Sequence, residues 1–159
     1  MELFPLGAGI SELRGIIKLT KDNGNAIEIS RLATETRKGI DVLLPLIDAC
    51  RILGLCTVKG GSMKLTASGL RLTAGNMRAI LSKRLADIEP FKRSFAVIGS
   101  HKRLTTVRLS ELLGRDGIIL YSEKATNVEL LKGLLLKWAV RLNLSSYNPK
   151  TDEWSLVEG

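Results

Sequence analysis

The stretch IDVLLPLIDACRILGLCTVKGGSMKLTASGLRL, residues 40–72, decides the fold class. Within it Val42, Leu43, Leu46, Ile47, Cys50 and Leu53 recur at helical spacing, which predicts a helix from about Ile40 to Leu53. Gly54 closes it, since glycine accepts the left-handed backbone that ends a helix. LCTV and MKL then flank KGGS, two β-like runs around a Gly-Gly turn, and so read as a hairpin. Thr66 is placed to cap a further helix, through about Ala74, by accepting a bond from a free backbone N–H.

Upstream, Ile10, Leu13, Ile16 and Ile17 share one helical face, and LTKDNGNA is a turn. IEI reads as a short strand, Ser30 as the cap of a brief helix RLATETR, and Gly39 as its end. Helix, short strand, helix, helix and hairpin is the order of a winged-helix-like unit, a helix-turn-helix with a β-hairpin added. Downstream the plan recurs loosely. Asn76 can cap a helix to about Ile88, Pro90 breaks or restarts it, and PFKRSFAVIGS forms another helix ending near Gly99. VRLSELLG is a short helix and RDGIILY a connector. Thr126 and Glu129 have capping-box spacing ahead of a long helix to about Asn143, and SSYNPKTDEWSLV is a hairpin. The expectation is a mainly α chain with small β-hairpins, an α+β protein of tandem winged-helix-like units at residues 1–75 and 76–159.

Of the 159 residues 45% are hydrophobic and 25% charged, which is ordinary globular composition. The start, MELFPLGAGI, lacks the basic and sustained apolar regions of a secretory signal. No apolar run reaches membrane-spanning length, since LLKGLLLKWAV is broken by Lys132 and Lys137. Cys50 and Cys56 read as small apolar residues in a reducing compartment, and the cytoplasm is the expected location. Catalytic chemistry is not legible. Nothing fits a phosphate-binding G-x-x-x-x-G-K-[ST] loop, and His101 is the only histidine. The carboxylates are scattered singly, and two cysteines are too few for a structural zinc. The expectation is therefore no catalytic residue, no metal and no cofactor: the chain is not an enzyme.

The formal net charge is +8, and its distribution matters more than its size. Arg78, Lys83, Arg84, Lys92, Arg93, Lys102, Arg103 and Arg108 fall in one stretch where only Asp87 and Glu89 oppose them. Such a belt suits an anionic partner, nucleic acid or an acidic protein, or else is a solvated face. Lys83, Arg84, Lys92, Arg93, Lys102, Arg103 and Arg108 are the candidate anion contacts. The two long helices argue for protein contact instead. Opposite its core stripe the first carries Asp41, Leu44, Pro45, Asp48 and Ile52, with Arg51 at the edge, a face that would repel phosphate. The second has Val128, Leu131, Leu134, Leu135, Trp138 and Leu142 inward, and Glu129, Gly133, Leu136 and Val140 outward. A helix apolar on two faces is covered on two faces. Leu44, Asp48, Ile52, Leu136 and Val140 are the candidate interface, against a protein partner, a second copy, or the other half of the chain.

IDVLLPLIDACRILGL, followed by a short strand, a Gly turn and KLTASGLRL, resembles the AAA-associated C-terminal domain found behind the ATPase unit of nitrate/sulfonate-type ABC transporter ATP-binding proteins. WAVRLNL with the hairpin YNPKTDEWSL fits as well, so the resemblance runs from about Leu6 to Val157. It implies a non-catalytic accessory or regulatory module with an ABC-type ATPase as partner. As a stand-alone chain it would meet that ATPase on a separate polypeptide. The strong basic charge departs from the neutral or acidic character expected of such domains, and keeps a DNA-binding transcriptional regulator as the alternative.

Overall fold

A computed structural model of the chain describes residues 1–157. Two compact units emerge: Phe4–Ile80, and the chain from Leu81 onward together with Met1–Leu3.

In the Phe4–Ile80 unit, α1 (Ile10–Asp22) buries Ile10, Leu13, Ile16 and Ile17 at the expected spacing. Thr20 joins them in the core because its hydroxyl donates to the Ile16 carbonyl at 2.7 Å. β1 (Ala26–Glu28) runs without a break into α2 (Ile29–Thr36). Ser30 is therefore inside α2 and caps nothing: Glu28 holds the N-cap position without a side-chain bond. The first N–H of that helix, on Ile29, donates instead to the Gly61 carbonyl at 2.9 Å, a cap supplied by the hairpin tip. Nor does Gly39 end α2. Arg37 takes the left-handed position there, at φ 57°, and Gly39 is the extended residue ahead of α3 (Ile40–Ile52).

β2 (Cys56–Lys59) and β3 (Ser62–Leu65) form the expected hairpin, with Lys59 opposite Ser62. Gly60 and Gly61 have φ of 56° and 76°, the left-handed pair that matches a two-residue loop to strand twist. β1 adds to the free edge of β3, giving an antiparallel sheet in the order β1-β3-β2. Thr66 begins α4 (Ala67–Arg71) as expected, accepting from the Gly69 N–H at 3.2 Å. Its hydroxyl also donates to the Gly54 carbonyl at 2.6 Å, tying the hairpin's exit to the end of α3. The helix stops sooner than Ala74, because Thr73 and Asn76 bond each other reciprocally, backbone N–H to side chain, and start a new turn. Asn76 thus faces back toward α4 rather than capping α5 (Met77–Leu85), which ends before Ile88. The division between the units falls inside α5.

From Leu81 onward, α6 (Phe91–Ser100) leads to a two-residue strand β4 (Leu104–Thr105) too short to leave a pattern in the sequence. β4 runs into α7 (Thr106–Arg115), as β1 runs into α2, and Thr105 caps it by accepting from the Arg108 N–H. α8 (Lys124–Leu134) continues as a π-helical segment, Leu135–Val140. The capping box at Thr126 and Glu129 does not form. The helix starts three residues earlier, and Thr126 donates its hydroxyl to Glu123, which holds the N-cap position. β5 (Ser145–Asn148) and β6 (Glu153–Leu156) close the hairpin, and β4 adds to β6 in the order β4-β6-β5. Each unit therefore runs helix, strand, helix, helix, hairpin, with the first strand paired to the last. The chain is α+β, mainly helical with two small three-stranded antiparallel sheets. No helix among the described residues is long and apolar enough to cross a membrane.

Candidate interaction surface

α3 buries Leu43, Leu46, Ile47, Ala49 and Cys50 and leaves its other side open. That side forms one wall of a groove of about 610 Å³. Leu44, 50% exposed, and Val58 of β2, 40% exposed, meet Pro5 and Leu6 there, so the groove is floored by apolar carbon that water now covers. Pro45 also lines it, and having no N–H it cannot donate to the Asp41 carbonyl four residues back. Asp41, Asp48 and Arg51 rim the groove. Arg51 reaches Asp48 at 2.6 Å across a pair whose side chains are both about two-fifths exposed, so it orients the rim more than it stabilises the fold.

Leu44 and Asp48 thus come together on one surface with Pro5, Leu6 and Val58, three residues the helical pattern alone did not reveal. Ile52 is half-buried and does not line the groove. Val42, expected in the core stripe, is instead 48% exposed: it lies in the first turn of α3, and Leu43 takes the inward position. Leu136 and Val140 are half-buried, on the π-helical segment. The inward stripe holds across that wider turn, with Leu131, Leu134, Leu135, Trp138 and Leu142 all buried.

The seven candidate anion contacts are all exposed, but they do not form one uniform patch. Arg93 is held by Asp116 at 2.6 Å, and Arg108 by Glu111 at 3.3 Å, where Lys124 joins at 3.5 Å. The two cations together hold the exposed Glu111 carboxyl below the usual carboxylate range. Lys92 and Lys102 stand near opposite ends of α6, whose ten residues extend about 15 Å. Lys83 and Arg84 lie in the last turn of α5.

Cys50 and Cys56 are free and buried, and a hydrogen bond with Cys56 together with burial pushes the Cys50 thiol far above its ordinary range. The His101 ring lies 2.9 Å from the Val97 carbonyl through Nδ1. Among the described residues no three His, Cys, Asp or Glu side chains converge as a metal site would require.

Residues 30–148 match the sequence model of a family described as the C-terminal AAA-associated domain. The chain belongs to that family. No curated protein and no solved structure matches it. The matched span starts in α2 and ends with β5, so this AAA-associated domain includes the α3 wall of the groove and the β2–β3 hairpin, whereas Pro5 and Leu6 come from outside it.

Proposed function

We propose that this AAA-associated domain is a non-catalytic regulatory module of the cytoplasm that docks a protein partner in the α3 groove, and that the partner is an ABC-type ATPase unit. The observation that carries the reading is the joining of Leu6, Leu44 and Val58 into one open apolar floor with carboxylates at its rim. Apolar anchors of this kind contribute most of the affinity at protein interfaces, and a partner offering apolar side chains beside Lys or Arg complements both floor and rim. Asp41 and Asp48 disfavour nucleic acid at the same place. The family's association with ATPases supplies the class of partner.

The test is affinity isolation from nuclease-treated lysate with the wild-type chain and Leu44→Asp/Val58→Asp side by side. A specific ATPase-bearing protein kept by the wild type and lost by a variant of unchanged melting temperature supports the reading. Equal capture by both, or capture that vanishes with nuclease, overturns it. Light scattering on the same pair identifies a second copy as occupant if the wild type alone is dimeric.

The alternative reading is a DNA-binding regulator. Lys83, Lys92, Lys102 and Arg103 favour it, being exposed and without an ion pair among the described residues. Contacts of this type go to phosphates, so such binding would be weak, steeply salt-dependent and indifferent to sequence. Anisotropy titrations on several duplexes at two salt concentrations separate it from the docking reading.

A further inference from the structure

A second concavity in the Phe4–Ile80 unit shares no residue with the α3 groove. It lies between α1 and the Leu72–Met77 segment and encloses about 390 Å³, inside the roughly 300–1,000 Å³ range of small-molecule sites. Arg14, Lys18 and Lys21 follow one another along its α1 wall at i, i+4 and i+7, which sets them on one helical face. Among the described residues no carboxylate lines the cleft. Arg14 and Lys18 are exposed and hold no ion pair among the described residues.

The two walls are fixed to each other. The Lys21 ammonium donates to the Leu72 carbonyl at 2.6 Å, bridging the cleft's end. Across from it, the reciprocal Thr73–Asn76 bonds and the Asn76 amide on the Arg71 carbonyl at 2.7 Å hold the facing turn. Thr73 accepts there through its hydroxyl oxygen, so its O–H is left to donate into the cleft. The floor is apolar: Ile17 and Leu72 are buried beneath it and Met77 closes one side. Between Arg14 and Lys18, Gly15 leaves bare helix backbone, and a Cβ built on it would meet nothing within 4 Å. A glycine inside a helix costs about 1 kcal/mol relative to alanine, and no neighbour in the fold requires this one. Its absent side chain keeps the space between the two cations open.

We propose that this cleft binds a small anion carrying an apolar body, a carboxylate or a phosphate ester. Arg14 and Lys18 take the acidic group in charge-assisted hydrogen bonds, the Thr73 hydroxyl donates a further one, and the body lies over Leu72 and Met77. Pre-set walls spare the ligand the cost of ordering them.

Calorimetry on the full chain tests this, with octyl phosphate, octanoate and inorganic phosphate as probes below micelle-forming concentrations. Saturable binding of octyl phosphate or octanoate is expected, the tighter one identifying the head group, with inorganic phosphate at least about ten-fold weaker for want of an apolar body. Arg14→Ala/Lys18→Ala should weaken the better probe about ten-fold or more. Gly15→Phe should fill the cleft and abolish binding, with a melting temperature confirming that it folds. The proposal is overturned by no saturable heat from either amphiphile, by undiminished affinity in the double variant, or by inorganic phosphate binding as tightly as octyl phosphate.

Discussion

Thr66 and Gly69 show how a short run, LTASG, is dictated atom by atom. The Thr66 hydroxyl serves two helices at once, its oxygen accepting from Gly69 N–H and its O–H donating to the Gly54 carbonyl. Gly69 is buried against the Leu55 carbonyl so closely that a Cβ would collide with backbone. Thr66→Val should therefore cost about 1 kcal/mol in urea denaturation through the lost cap. Gly69→Ala should cost about 2 kcal/mol, since backbone must move. Gly15→Ala should do the opposite and raise stability by about 1 kcal/mol. Asp152 is the corresponding anchor in the chain beyond Leu81. Burial acts to raise its carboxyl, but bonds from the Thr106 hydroxyl, the Tyr147 hydroxyl and the Thr106 N–H, with Lys132 nearby, outweigh burial and hold it below the usual range. A depressed carboxylate stabilises the fold above its unfolded-state value, about pH 4, and that contribution fades as pH falls through the lower folded value. Thermal melts from pH 6 down to 2.5 should show a shallower acid-side decline for Asp152→Asn than for the wild type.

At the scale of elements, the two hairpins each recruit a strand lying far upstream in sequence. The IEI run was legible because Ile27 and its neighbours alternate, although Ile29 itself opens α2. LT at β4 was not legible, as two residues carry no period; only its register, Leu104 opposite Trp154, makes it a strand. Helix starts failed for a related reason. Ser30 and Thr126 are good capping residues, yet the hairpin tip at Gly61 and the Glu123 position set where the helices begin. The Gly60–Gly61 turn, by contrast, was fully determined locally. Replacing both by alanine puts two Cβ atoms at positive φ, and should destabilise the protein by about 2 kcal/mol in chemical denaturation. Because Ile29 N–H relies on the Gly61 carbonyl, hydrogen exchange at the start of α2 should quicken with it.

Across the whole molecule, each unit has its own buried set. Leu13, Leu32, Leu43, Leu46 and Met63 serve the Phe4–Ile80 unit; Phe91, Leu109, Leu135, Trp138 and Trp154 serve the other. A fragment of residues 4–85, which completes α5, should therefore unfold cooperatively in urea, with residual helicity and a sloping transition as the contrary result. Its size places it near the lower limit for an independent core, so a midpoint below that of the full chain is expected.

The sequence by itself determined the helices, both hairpin turns and the family, because these rest on periodicity, on turn residues such as Gly60–Gly61 and the run NPKTD, and on stretches such as IDVLLPLIDACRILGL and KLTASGLRL, all properties of neighbours along the chain. It also placed Leu44 and Asp48 on the outer side of α3, since a wheel depends only on helical pitch. Only the tertiary structure decided what stands beside them. Pro5 and Leu6 reach the groove from one segment and Val58 from another, and Leu72 and Thr73 are brought across from Arg14 and Lys18. No local pattern encodes such meetings. They are set by which faces the core buries, and burial is a property of the folded chain.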